Sequence, residues 1–168
     1  MSRILLLGSS IIRRFYYQEL GWIVDNLGID GLLTTDLFTE NYTNIVFTPP
    51  LPAYHSMIFY CGNNDLKHGI PVEQVVDNIH QFLQLFRKFY PTTKIFVISL
   101  LYSPMNHILG LFPQIDYINQ QLFDQQEEYR LIDLGHNITD TIYYQPDLVH
   151  LNQLGYDQLH DFVKTRCV

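Results

Sequence analysis

At 168 residues, 47% hydrophobic and 14% aromatic, the chain can bury a sizeable core and suits one domain over residues 1–168. A formal net charge of −7, with acidic residues spread along the chain and not gathered in a tail, argues against nucleic acid and against anionic membrane surfaces as partners. No stretch approaches the ~20 apolar residues of a bilayer-spanning helix, so no integral membrane association is expected.

The first apolar run, "RILLLG" (Arg3–Gly8), predicts a strand; Ser9 and Ser10 follow it, and "IIRRFYY" opens what reads as a helix. "WIVDNLG" (Trp22–Gly28) and "SMIFYCG" (Ser56–Gly62) predict the second and third strands. Between Pro71 and Tyr90, Val72, Val75, Val76, Ile79, Phe82, Leu83 and Phe86 keep helical spacing; Pro71 suits a first-turn position and Pro91 stops the helix. "KIFVISLL" (Lys94–Leu101) predicts the fourth strand, Pro113–Glu128 a helix with Ile115, Ile118 and Leu122 inward, "YRLIDL" (Tyr129–Leu134) the fifth strand, and Asn152–Thr165 a last helix. Near-continuous β-branched and aromatic runs suit strands buried on both faces. Their alternation with helices predicts an α/β fold: three layers, α/β/α, with a flavodoxin-like sheet of about five parallel strands and helices on both faces.

Ligands of such sheets bind beyond the carboxyl ends of the strands, so the residues there matter most. After the first strand comes Gly8-Ser9-Ser10; after the second, Asn26 to Asp36; after the third, "CGNND"; after the fifth, a loop carrying Asp147 and His150. A hydroxyl, a carboxylate and an imidazole at one edge are the inventory of acyl transfer. A serine is a weak nucleophile until a base takes its proton; His150 can be that base, and Asp147 can hold the ring. The backbone N–H groups of Ser10 and Gly31 and the amide of Asn64 can receive an oxyanion. The plainer readings are N-caps for Ser9 and Ser10, an Asx turn for Asn64 and Asp65, and a turn after Pro146 for Asp147.

The set resembles the SGNH (GDSL-type) hydrolase superfamily, with a Gly-Asp-Ser nucleophile after the first strand, a glycine after the second, Gly-x-Asn-Asp after the third and Asp-x-x-His before the last helix. Here "GSS" stands for the first of these, "CGNND" carries the third, and "DLVHLNQLGY" the last; order and spacing agree from Ile4 to Tyr156. Ser9 replaces the family's aspartate, as in a subgroup with Gly-Ser-Ser. The resemblance implies Ser10, Asp147 and His150 as catalytic, and Ser10, Gly31 and Asn64 as the oxyanion hole. Glycine-to-serine spacing favours Ser10 over Ser9, and the spacing after Asn26 favours Gly31 over Gly28.

Met105, Ile108, Leu109 and Phe112 follow the fourth strand and are candidates for lining a substrate pocket, with Tyr144 beside them. His55, His68, His80, His107 and His160 show no metal-ligand spacing, so neither metal nor organic cofactor is expected. Cys61 and Cys167 form no disulfide framework. "ILLLG" is shorter than a signal-peptide core, and two free thiols suit a reducing compartment, so a cytoplasmic location is expected. The implied function is a serine esterase acting on a small-molecule ester or thioester, with an acylated sugar or lipid among the candidates. An acyltransferase with the same triad and an idle anion-binding module at the Gly8–Ser10 turn are the alternatives.

Overall fold

The computed structural model describes residues 2–16, 22–49, 52–126 and 129–167. Tyr17, Glu128 and the side chain of Cys167, each part of a sequence expectation, lie outside the described part. Five strands form one parallel sheet: β1 (Ser2–Gly8), β2 (Trp22–Gly28), β3 (Ser56–Tyr60), β4 (Lys94–Ile98) and β5 (Arg130–Ile132), in the order β2-β1-β3-β4-β5. This is the flavodoxin-like order, in which the strand order reverses between β1 and β3 and opens a crevice at their carboxyl ends.

Seven α-helices are described: α1 (Ser10–Arg13), α2 (Glu40–Phe47), α3 (Asn63–Lys67), α4 (Val72–Phe89), α5 (Pro104–Ile108), α6 (Phe112–Asp124) and α7 (Gln153–Cys167). Phe47 of α2 packs on Phe82 and Phe86 of α4, and α4 lies beside α6. On the other face Tyr156 of α7 stacks on Phe15 and donates to the Ile11 carbonyl of α1. That division follows from right-handed crossovers: β1→β2 runs one way along the sheet, and the later connections run the other way.

The core is what the apolar runs demand. Every residue of β3 is buried, as are Ile4 to Leu7 of β1. Helix α4 buries Val75, Val76, Ile79, Phe82, Leu83 and Phe86, side chains worth about 1.5–3 kcal/mol each when fully removed from water. Pro71 sits at its N-cap, one residue before the expected first turn. Strand β2 departs from the expectation of burial on both faces. It is the sheet edge, only half-buried along its length, because β1 is its one neighbour.

Helix α1 stops after four residues, and the cause lies outside it. The Asn26 amide donates to the Ile12 and Phe15 carbonyls at 2.8 and 3.2 Å, while its carbonyl accepts the Gly28 N–H at 2.9 Å. One side chain on β2 thus satisfies carbonyls that a longer helix would have bonded itself.

Candidate active site

Ser10, Gly31 and Asn64 each lie within a few residues of the end of an apolar strand. At the end of β1, Gly8 has φ +140°, and a Cβ there would fall 1.9 Å from the Tyr60 carbonyl oxygen, so only glycine fits between β1 and β3. The Ser9 N–H then donates to that same Tyr60 oxygen at 2.9 Å. Ser9 occupies the N-cap position of α1, yet its side chain makes no capping bond. Buried Ile11 and Ile12 anchor α1 to the sheet. Ser10, 8% exposed, turns its hydroxyl to His150: Oγ to Nε2 is 3.1 Å.

The loop before α7 builds the other half. One carboxylate oxygen of Asp147 accepts the N–H groups of Val149 and His150 at 3.0 and 2.9 Å; the other meets Nδ1 of His150 at 2.6 Å. Leu148 between them has φ +60°, a left-handed conformation costing a branched side chain about 1–2 kcal/mol. The strained turn is tied down by Leu148 N–H to the Gln145 carbonyl, Gln145 N–H to the His150 carbonyl and Met105 N–H to the Leu148 carbonyl. Burial disfavours the charged form of Asp147, but the His150 ring and the two backbone donors outweigh it and hold the carboxyl at about 2. An ionised Asp147 only accepts, so Nδ1 carries a proton, and in the neutral ring the Nε2 lone pair is the one that faces Ser10. Lys67 brings a positive charge towards Asp147; burial lowers the lysine's pKa and Asp147 raises it.

The candidate oxyanion donors lie on the loop after β2 and on α3. Gly31 has φ +75°, and a Cβ there would meet nothing within 4 Å. Among the described residues no acceptor takes its N–H or that of Ser10. Gly28 differs: it closes β2, and a Cβ there would come 2.3 Å from the Arg13 nitrogen, so its place is explained by packing against α1. Asn64 donates through Nδ2 to the Leu32 carbonyl at 3.1 Å, which binds α3 to the Gly31 loop and leaves the second amide hydrogen uncommitted to that bond.

Of the pocket candidates, Met105 is half-buried and hydrogen-bonded to the Asp147–His150 turn, whereas Ile108 and Leu109 are 65% and 51% exposed. Phe112 packs edge-on against Tyr102 at 5.1 Å. Tyr144 is 5% exposed. It is buried, donates its hydroxyl to the Ile138 carbonyl at 2.6 Å and pairs with Leu151, so it packs as part of the core. The cavities of about 300 Å³ beside Tyr102 and His136 and of about 460 Å³ between β2 and α2 are lined by none of these five.

Burial pushes the Cys61 thiol well above its usual range, which makes it inert. Among the described residues no helix is long and apolar enough to cross a membrane, and no three His, Cys, Asp or Glu side chains are grouped to hold a metal ion. Sequence reasoning missed the links between elements, above all those of Thr34 with Asp65 and of Asn26 with α1. Their partners lie 31 and 14 positions apart, where no local pattern signals them.

Residues 8–158 match the family described as the GDSL-like lipase/acylhydrolase family. A search of curated protein sequences found none that matches. Among solved structures, a Streptococcus pneumonia protein provisionally described as a platelet activating factor is similar with TM-score 0.83 and 23% identity, over 99% of this chain and 84% of that one. A lipolytic G-D-S-L family member from Veillonella parvula gives 0.80 and 17%, over 99% and 98%. An acetyl xylan esterase from Geobacillus stearothermophilus gives 0.75 and 14%, over 97% and 93%. At these identities the likeness is one of fold.

Proposed function

The chain belongs to the GDSL-like lipase/acylhydrolase family, and from that premise we propose that it is a serine esterase that forms an acyl-enzyme on Ser10. The observation that carries this reading is the Ser10 Oγ–His150 Nε2 contact of 3.1 Å, continued by the 2.6 Å contact from Nδ1 to Asp147. An anion-binding turn has no use for such a pair; an activated hydroxyl needs it.

The reaction follows from these atoms. Ser10 Oγ attacks the carbonyl carbon of an ester or thioester as its proton passes to His150 Nε2. The carbonyl oxygen gains the negative charge and is received by the N–H groups of Ser10 and Gly31 and the free hydrogen of the Asn64 amide. Collapse breaks the bond to the leaving oxygen or sulfur, which takes the proton from Nε2. Water then gives a proton to His150 Nε2 and attacks the acyl carbon; the bond from that carbon to Ser10 Oγ breaks, the Nε2 proton returns to Oγ and the acid leaves. Asp147 keeps the ring in one tautomer and stabilises the imidazolium.

A labelled fluorophosphonate and a panel of p-nitrophenyl esters of increasing acyl length test the proposal. We expect one covalent label per chain and turnover that varies with acyl length, which also defines the acyl group taken. An unlabelled, inactive but folded chain would refute it.

Asn64→Ala is expected to lower kcat by ~10²–10³, or ~3–4 kcal/mol, with a much smaller change in KM, because a donor aimed at developing charge acts mainly in the transition state. Loss of the bond to Leu32 should also cost about 1 kcal/mol of stability. Melting temperature and active-site-titrated kcat on one preparation separate the two effects. A destabilised variant with normal titrated kcat would leave Asn64 only its structural bond.

A further inference from the structure

We propose that Asp65 and Thr34, backed by Asn78, are positioning residues that set the oxyanion hole by locking the Gly31 loop to α3; this rests on the reading of Gly31 N–H and Asn64 as oxyanion donors. Asp65 and Thr34 are both fully buried. Asp65 Oδ1 accepts the Thr34 N–H at 2.9 Å and the Thr34 hydroxyl at 2.5 Å, and Oδ2 shares the same N–H at 3.2 Å. Asn78 Nδ2 on α4 donates to the Thr34 hydroxyl oxygen at 3.0 Å.

With Asp65 ionised, the chemistry of the three groups allows one proton arrangement. An amide NH₂ only donates and a carboxylate only accepts, so the Thr34 hydroxyl must take the Asn78 hydrogen and give its own to Asp65. Thr34 stands three residues after Gly31, and Asp65 directly follows Asn64. The link therefore joins the two donor-bearing segments next to the donors themselves. The Asn64 bond to the Leu32 carbonyl is a second tie within the same interface.

A buried carboxylate is a costly way merely to hold a turn. Burial raises the Asp65 pKa, the Thr34 bonds lower it, and the charge of Asp36 raises it again. Apolar side chains of similar size commonly hold such a contact at no loss of stability. What they lack is direction: two hydrogen bonds from one residue to one carboxylate fix the backbone of the loop in position and orientation. An oxyanion hole requires that, since its donors must be in place before charge develops.

The test uses Asp65→Asn, Thr34→Val and Thr34→Ser, with kcat, KM, active-site titration and melting temperature measured on each. Thr34→Val deletes only the hydroxyl, and so keeps the test open if Asp65→Asn does not fold. We expect Asp65→Asn and Thr34→Val to lose about 10–100-fold in titrated kcat, the cost of a small misplacement, with KM within about twofold. Thr34→Ser, which keeps the hydroxyl, should restore most of the rate. Normal titrated kcat in Thr34→Val, with or without a lower melting temperature, would overturn the positioning role. So would a Thr34→Ser variant as slow as Thr34→Val. A wild-type chain that neither labels with fluorophosphonate nor turns over any ester fails at an earlier point, and removes the esterase reading together with the clamp that rests on it.

Discussion

Replacing Ser10 by alanine is expected to abolish fluorophosphonate labelling and lower ester turnover by about 10⁶-fold, the scale on which removal of a triad nucleophile acts. The protein should remain folded. Among the described residues the Ser10 hydroxyl meets one partner, His150, and the buried neighbours Ile11 and Ile12 hold α1 without it. The stability change should stay near 1 kcal/mol, the value of one net hydrogen bond. Ser9→Ala is the control. Its side chain caps nothing, and its N–H remains on the Tyr60 carbonyl. That variant should label like the wild type, and loss of label from Ser9→Ala alone would move the nucleophile one residue back.

The second large effect belongs to the base and its partner. His150→Ala should lose nearly as much activity as Ser10→Ala, and Asp147→Asn about 10⁴-fold, because an amide can hold the ring in the wrong tautomer. Only a neutral imidazole accepts the Ser10 proton, and an ionised Asp147 holds that imidazole in the tautomer that can do so. Asp147, held at about 2, is ionised at neutral pH. Its folded-state pKa lies below the ~3.9 of an unfolded aspartate. The sign of its stability term follows: present above about 4, and lost as pH falls through about 2. With its side chain 46% exposed, that term is modest. Acid-unfolding curves of wild type and Asp147→Asn, compared between pH 5 and 1, should converge at the acid end. Near-wild-type turnover in Asp147→Asn would mean that another acceptor orients the ring.

The strands were legible because each is an apolar run closed by a glycine or a polar turn, and α4 because its seven apolar residues, Val72 to Phe86, keep one helical face over about four turns. The short helices were not. Helices α3 and α5 have five residues each, too few to show a period, and α3 starts on Asn63, Asn64 and Asp65, which read as a turn. Helix α2 lacks a long apolar stripe, and only Tyr42, Val46 and Phe47 are buried. The end of α1 is set by Asn26 on another strand, where no local propensity reaches. At the site the residue types and their order were plain, because hydroxyl and amide stand directly after strand ends and carboxylate and imidazole stand together just before the last helix. What the order could not convey is which bond each group makes. The order does not show that the Tyr144 hydroxyl binds the Ile138 carbonyl. Asp65 read as a turn residue or as one that supports the site from behind, and the order did not name Thr34 as the partner of its carboxylate.

Ser10 and His150, in contact at 3.1 Å, are 140 positions apart in the chain. A ribosome adding about 5–20 residues per second makes the serine roughly 7–28 s before the histidine. Throughout that interval Ser10 has no base and is an ordinary alcohol, inert towards the esters around it. On the proposed mechanism the nascent chain is therefore chemically silent. Reactivity arrives only when synthesis has passed the histidine and the sheet has closed, with no inhibitor or cleavage needed to delay it.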